Sequence, residues 1–227
     1  MREFNALEGY PQPKEPRVVS PNIRTVHHRV VACQRGKDYF DGDRNYGYGG
    51  YKYDDRWDPI VKNIYKEYGL KENSSILQLG SEKGFLLYSF QKQFPNLKLQ
   101  GVETSDYAIQ NTLPSIKDFV AYAPYTKLPF ADHQFDFVYA AALVYTLNLP
   151  DAIQCLREIE RVGKGKSFIT LGSYRTEEEY RLFKYWTLLG TLILHEDEWI
   201  EVLKYAGYTG DYFFMNSRAL KLVEKSA

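Results

Sequence analysis

Between Ser75 and Gly172, short apolar runs alternate with stretches of helical periodicity, and this rhythm restricts the possible folds more than any other feature. Parallel strands cannot be joined by a tight turn; they need a crossover of a dozen or more residues, commonly a helix, that covers the sheet. The spacing predicts strands at Ser75–Leu79, Lys98–Glu103, Asp118–Tyr122, Phe135–Ala141 and Lys166–Gly172, separated by helices near Gly84–Phe94, Ser105–Leu113 and Asp151–Val162. Thr176 with Glu179 forms a capping-box pattern that opens a helix running to about Leu189, and a further helix over Glu196–Ala206 is stopped by Gly207. The stretch from Asp211 to Lys225 reads as two strands joined by a tight turn, one of them antiparallel. The expected architecture is an α/β, doubly wound, mostly parallel sheet of seven strands.

Ahead of the sheet, Pro11, Pro13, Pro16 and Pro21 predict an extended arm over residues 1–35. Tyr39, Tyr46, Tyr48, Tyr51 and Tyr53 then crowd together, interleaved with Gly42, Gly47, Gly49 and Gly50, in a segment read as a loop. From Trp57 to Gly69 the apolar spacing is helical, with Pro59 in the first turn. The division expected is an arm and Tyr/Gly-rich lid over 1–56 and a sheet domain over 57–227.

The 29 Lys and Arg balance the 29 Asp and Glu, so the broad basic field of a nucleic-acid binder is missing. Cys33 and Cys155 stand far apart with no metal-ligand spacing, which predicts neither a disulfide framework nor a metal site, and with it a cytoplasmic chain. No apolar run reaches about 18 residues, which argues against a membrane span.

The strand Ser75–Leu79 ends in Gly80-Ser81-Glu82-Lys83-Gly84, a turn that lets a ligand approach the backbone before a helix begins. Glu103 closes the next strand, about twenty residues on, where a carboxylate can accept both hydroxyl hydrogens of an adenosine ribose. A dinucleotide fingerprint starting at Gly80 would meet Glu82 and Phe85 where it needs glycines, and the Glu82 carboxylate would face the pyrophosphate. Those mismatches disfavour a nicotinamide-dependent oxidoreductase, although Tyr180 and Lys184 have the spacing of a dehydrogenase pair.

The chain from about Ser75 to Tyr174 resembles the class I S-adenosylmethionine-dependent methyltransferases, small-molecule type. The resemblance rests on ILQLGSEKGF, GVETSDYAIQN, LPFADHQFDFVYAAAL and LREIERVGKGKSFITLGSY. It implies a Rossmann-like methyltransferase fold and S-adenosyl-L-methionine as cofactor. Gly80, Ser81 and Gly84 would line the methionine end, Glu103 would hold the ribose, and Thr104, Ser105 and Tyr125 would border the adenine. Substrate would enter near Ala141–Thr146 and Tyr174–Arg175. Departures from the family pattern are Gln78 where an acid is usual, Pro124 where an acid often meets the adenine, and the apolar Ala140–Ala142.

The function expected is methyl transfer to a small polar metabolite such as a sugar, nucleotide-sugar or natural-product intermediate. The alternative is a catalytically silent methyltransferase-like subunit, and partners could include a second copy or a heteromeric methyltransferase. Tyr145 and Tyr174 are the candidate proton acceptors, and Tyr46, Tyr48, Tyr51, Tyr53 and Arg175 are candidates for the lid or the substrate site. A tyrosine face near a sulfonium would be attracted to it by about 0.5–2 kcal/mol.

Overall fold

The computed structural model describes residues 1–225; Ser226 and Ala227, the end of the 57–227 span, lie outside the described residues. Chain order runs β1 (Arg2–Glu3), β2 (Arg17–Val19), α1 (Val26–Cys33), α2 (Lys37–Asp41), α3 (Asp58–Glu67), β3 (Ser75–Leu79), α4 (Phe85–Gln93), β4 (Lys98–Glu103), α5 (Asp106–Gln110) and β5 (Val120–Tyr122). It continues through β6 (Phe137–Ala140), α6 (Leu149–Val162), β7 (Ser167–Tyr174), α7 (Glu177–Trp186), β8 (Leu194–His195), α8 (Glu196–Ala206), β9 (Asp211–Met215) and β10 (Leu222–Glu224). Seven strands form the central sheet in the order β1-β9-β7-β6-β3-β4-β5, with β8 added at the end of β7. The order reverses between β3 and β6, which is where an open α/β sheet binds its ligand.

Alternation along each strand sorts the core into two layers. Ile76, Phe137, Tyr139 and Phe168 face α3 and α4, in one cluster with Ile60, Ile64 and Phe90. Leu77, Leu79, Val138, Ala140, Ile169 and Leu171 face the other way, in one cluster with residues of α6 and α8 such as Leu156, Ile159 and Trp199. The predicted bounds of β3, β4 and α8 match the structure, and the Thr176 hydroxyl caps α7 by accepting the Glu179 amide. Among the described residues no helix is long and apolar enough to cross a membrane.

Three expectations are corrected. The terminal hairpin is absent: β9 pairs with β7 and β10 pairs with β2, both in parallel. Residues between them make a helical turn, Leu220 N–H donating to Asn216 and Leu222 N–H to Ser217, so the chain is carried away from β9 instead of back along it. The extended arm contains α1, which starts at Thr25, past the last proline, with the Thr25 amide donating to His28 Nδ1. The Tyr/Gly loop begins as the helix α2, which buries Tyr39 and Phe40. The arm is tied to the C-terminal strands at two places, β1 on β9 and β2 on β10. Arg2 clamps the first, donating from Nη2 to Asp211 Oδ2 at 2.7 Å and from Nε to Oδ1 at 3.2 Å.

Trp199 is fully buried and its Nε1 donates to the Gly172 carbonyl at 2.8 Å, joining α8 to β7 beside the switch point. Trp199→Ala should cost about 3–5 kcal/mol of stability, and Trp199→Phe less, both read as a lower urea midpoint.

Candidate active site

The turn after β3 is drawn tight against β4. Gly80 and Ser81 both donate their amides to the Val102 carbonyl, at 2.9 and 3.1 Å, and the Glu82 amide donates to Glu103 Oε2 at 2.8 Å. Gly84 has φ +77°, and a Cβ there would lie 2.1 Å from Ile116, so both backbone conformation and packing require glycine.

Glu103 has no exposed surface and its carboxylate is fully engaged. Oε1 accepts from the Thr104 amide (2.7 Å), the Ser105 amide (2.9 Å) and the Tyr125 hydroxyl (3.1 Å). Arg35 Nη2, from the segment between α1 and α2, donates to both oxygens at 3.2 Å. Burial opposes the Arg35 charge, but Glu103, with Tyr125 and Glu82 adding, holds its pKa above the ordinary arginine range. Arg35 has φ +47°, a conformation non-glycine residues rarely adopt, and its carbonyl accepts the Ser105 hydroxyl at 2.6 Å. The carboxylate expected to hold a ribose is thus held by an arginine of the N-terminal segment.

Glu82 lies beneath the aromatic segment. Tyr48 Oη donates to its Oε1 at 2.6 Å, and Tyr51 lies beside the same carboxyl and acts to lower its pKa. The two rings stack with centroids 4.1 Å apart, and Tyr51 packs on Phe85 at 4.4 Å. Desolvation raises the Glu82 pKa despite Arg35, Tyr48 and Tyr51, which act to lower it. Gly47 passes so close to Tyr39 that a Cβ would meet its carbonyl oxygen at 2.0 Å, which explains a glycine in that register. Asp41 fastens the segment to the turn, accepting from Lys83 Nζ and Tyr107 Oη, each at 2.7 Å.

A cavity of about 560 Å³ opens over the switch point, within the range of about 300–1,000 Å³ usual for small-molecule sites. Gly80, Ser81, Tyr48, Tyr51, Tyr145 and Gln78 line it, along with Ala142 and residues of the arm. Tyr145 is buried in the wall, and desolvation with the nearby Glu82 charge pushes its pKa further above the ordinary range, so at neutral pH it is a hydroxyl and not an anionic base.

Other expected site residues lie elsewhere. Tyr174 packs edge-on against Tyr180 and His195, because β7 runs two residues past Gly172 to pair with β8. Arg175 donates to Glu196, which is also bonded by Arg218 and Asn216. Tyr46 packs edge-on against His27 and at a tilt against His28, and Tyr53 donates to Asp58 at 2.9 Å. Ser105 caps α5 by accepting the Ala108 amide, and Thr104 Oγ1 donates to Tyr125 Oη at 3.3 Å, so both stand behind Glu103 and not on the cavity. Arg35, Glu82 and Arg17 are cavity residues that the sequence reading passed over. Only Glu82 sat in a recognisable motif, where it counted as a mismatch.

Residues 77–171 match the family model for a methyltransferase domain. No curated protein matches the sequence. Among solved structures, the YcgJ protein from Bacillus subtilis is similar at 15% identity and TM-score 0.53, over 64% of this chain and 66% of that one. A complex between the Haloferax volcanii Trm112 methyltransferase activator and a candidate methyltransferase is similar at 17% identity and TM-score 0.51, over 79% and 75%. The [4+2]-cyclase SpnF is similar at 18% identity and TM-score 0.50, over 66% and 56%. The chain spans just under two thirds of the length of the first of these. Sheet order, switch-point cavity and family match define the class I S-adenosylmethionine-dependent methyltransferase fold. The chain has that fold, and the methyltransferase-domain match lies at its centre.

The raised pKa of Glu82 makes its ionised form the costly one in the folded protein. The stability it contributes is complete below the ordinary glutamate value, about 4.3, and is lost as pH rises through the raised value. Glu82→Gln should therefore be more stable than the wild type near pH 8, the difference shrinking toward zero below about pH 4 in urea unfolding.

Proposed function

We propose that this chain transfers a methyl group from S-adenosyl-L-methionine to a small metabolite bound in the switch-point cavity. The observation that carries the reading is the cavity's continuity with the glycine turn: it is bounded by Gly80, Ser81 and Gln78 on one side and by Ala142, Leu143 and Tyr145 on the other. Gln78 Oε1 and Ser81 Oγ are buried there without hydrogen-bond partners, which suits the ammonium and carboxylate of a methionine end. The bound donor supplies an activated sulfonium methyl. What remains for the protein is chiefly to align the acceptor and exclude water.

The chain's own groups divide this work. Tyr48 and Tyr51 roof the cavity with aromatic faces, and Glu82 stands beside it as the proton acceptor that a hydroxyl substrate requires. A carboxyl with a raised pKa is a better base near neutrality than an ordinary one. Glu103 would accept the ribose hydroxyls once Arg35 withdraws, which makes residues 20–55 a lid that opens to admit the donor.

The Arg35–Glu103 contact also favours a second reading, a silent methyltransferase-like subunit whose donor site is filled by its own arginine. The Haloferax volcanii complex joins a methyltransferase activator to a candidate methyltransferase, an example in another protein of a methyltransferase with a partner subunit. SpnF, named as a cyclase, is a reminder that this fold hosts other chemistry.

Calorimetric titration with S-adenosylhomocysteine separates the two. Saturable one-to-one binding is expected, with Glu103→Gln weakening it about ten- to a hundredfold, the worth of one charge-assisted hydrogen bond. Absence of binding in both the wild type and Arg35→Gln would leave the silent subunit.

A further inference from the structure

Eight buried side-chain polar atoms among the described residues have no hydrogen-bond partner, and six of them belong to residues that line the one switch-point cavity. Buried polar groups are nearly always bonded, so orphans gathered on one cavity mark where a polar ligand completes them. They fall into two sets. Gln78 Oε1, Ser81 Oγ and Arg35 Nε stand at the end of β3 beside Glu103. Arg17 Nη1, Trp57 Nε1 and Tyr139 Oη form the other set, all hydrogen-bond donors.

Arg17 is the cation of the second set. Its backbone amide donates to the Lys221 carbonyl at 2.8 Å, in the ladder between β2 and β10, so it rises beside the chain that leaves β9. Three ladder steps separate β9 from β3 in the order β9-β7-β6-β3, roughly 14 Å at the usual strand spacing. Glu103 lies one strand farther on, on β4, whereas Arg17 is carried on β2, which pairs with β10 outside the central sheet. Tyr10 lies within electrostatic range of both Arg17 and Tyr139, and it packs on Trp57 with ring centroids 5.1 Å apart, which draws these groups together around the arm.

No carboxylate is among the groups acting on Arg17. Burial lowers its pKa most, and the cations near it, Arg44 and Arg24, are repulsive. An arginine keeps its charge in a protein, so a half-buried guanidinium with an unpartnered nitrogen on a cavity wall is suited to hold an anion. Leu7, Phe213, Met215 and Leu220 give the wall an apolar part, while Asn5, Glu8, Gln12 and Lys221 form its polar margin. We propose that the methyl acceptor is a small, largely apolar molecule bearing one oxyanion, carboxylate or phosphate, held by Arg17 with Trp57 and Tyr139. This rests on the methyltransfer reading for the word acceptor, while the oxyanion site itself stands on the cavity.

The test is calorimetric titration of the full chain with hexanoate, hexyl phosphate and hexan-1-ol, with and without S-adenosylhomocysteine. At least one anion should bind ten times or more tightly than the alcohol, and the stronger of the two names the oxyanion. Arg17→Gln should erase that preference and Arg17→Lys should keep part of it, with the urea midpoint confirming that both variants fold. Equal binding of alcohol and anions, or a preference that survives in Arg17→Gln, would overturn the proposal. So would an Arg17→Gln effect confined to S-adenosylhomocysteine, which would assign the guanidinium to the donor's own carboxylate. If S-adenosylhomocysteine fails to bind while the anion preference stands, the methyltransfer reading falls and the oxyanion site remains.

Discussion

A carboxylate without exposed surface must be surrounded by donors, and Glu103 shows how much of the structure is arranged to do this. Its oxygens collect amides from the turn after β3 and from the start of α5, a hydroxyl from the β5–β6 connection, and a guanidinium from the N-terminal segment. Four separate stretches of chain therefore meet at one side chain. Removing one partner of such a pair is typically strongly destabilising, because the other is left charged and dry. The exchange of Arg35 for two ribose hydroxyls would lose a full charge on the donor side, but Tyr125 and three amides would remain.

The aromatic segment follows from the same constraint. Glu82 is drawn under the aromatic segment because its amide is committed to Glu103, and its φ of +52° turns its carboxyl toward Tyr48. Its charge is opposed by burial, so the tyrosines above it contribute hydroxyls as well as apolar surface. Tyr48 and Tyr51 serve both purposes, whereas Tyr46 and Tyr53 are anchors of the segment's margins. The tyrosine cluster is thus one stacked pair at the site with packing residues on either side.

What could be read from the sequence was what short-range physics decides. β3, β4 and α8 were recognisable because apolar runs, alternation and caps such as the Thr176 hydroxyl act within a few residues. The partner of a strand is a long-range choice: β9 and β10 have the composition of a hairpin, yet each found a parallel neighbour, β7 and β2. Gly80, Ser81, Tyr48 and Tyr51 could be placed because a strand-end turn and a clustered composition mark them, and all four line the cavity. Arg35 and Arg17 could not, since each stands in a stretch with no periodicity and reaches the site only through the folding of the arm. Tyr174 failed for the opposite reason, because two further residues of β7 carry it beyond the cavity rim.

The way the arm is fastened limits how the site can open. Its first residues are locked on β9 through Arg2 and Asp211, and Arg17–Val19 are locked on β10. At the other end, Tyr53 is bonded to Asp58 and Ser89 of α3 and α4. Movement that frees Glu103 must therefore occur within residues 20–55. The strained φ of Arg35 and the open space around Gly36 lie between α1 and α2, where backbone rotation meets least resistance. Release of Arg35 would relax that strain, offsetting part of the ion pair lost. If residues 20–55 open as proposed, Arg17, fixed on β10 outside that span, would keep the proposed oxyanion subsite in place.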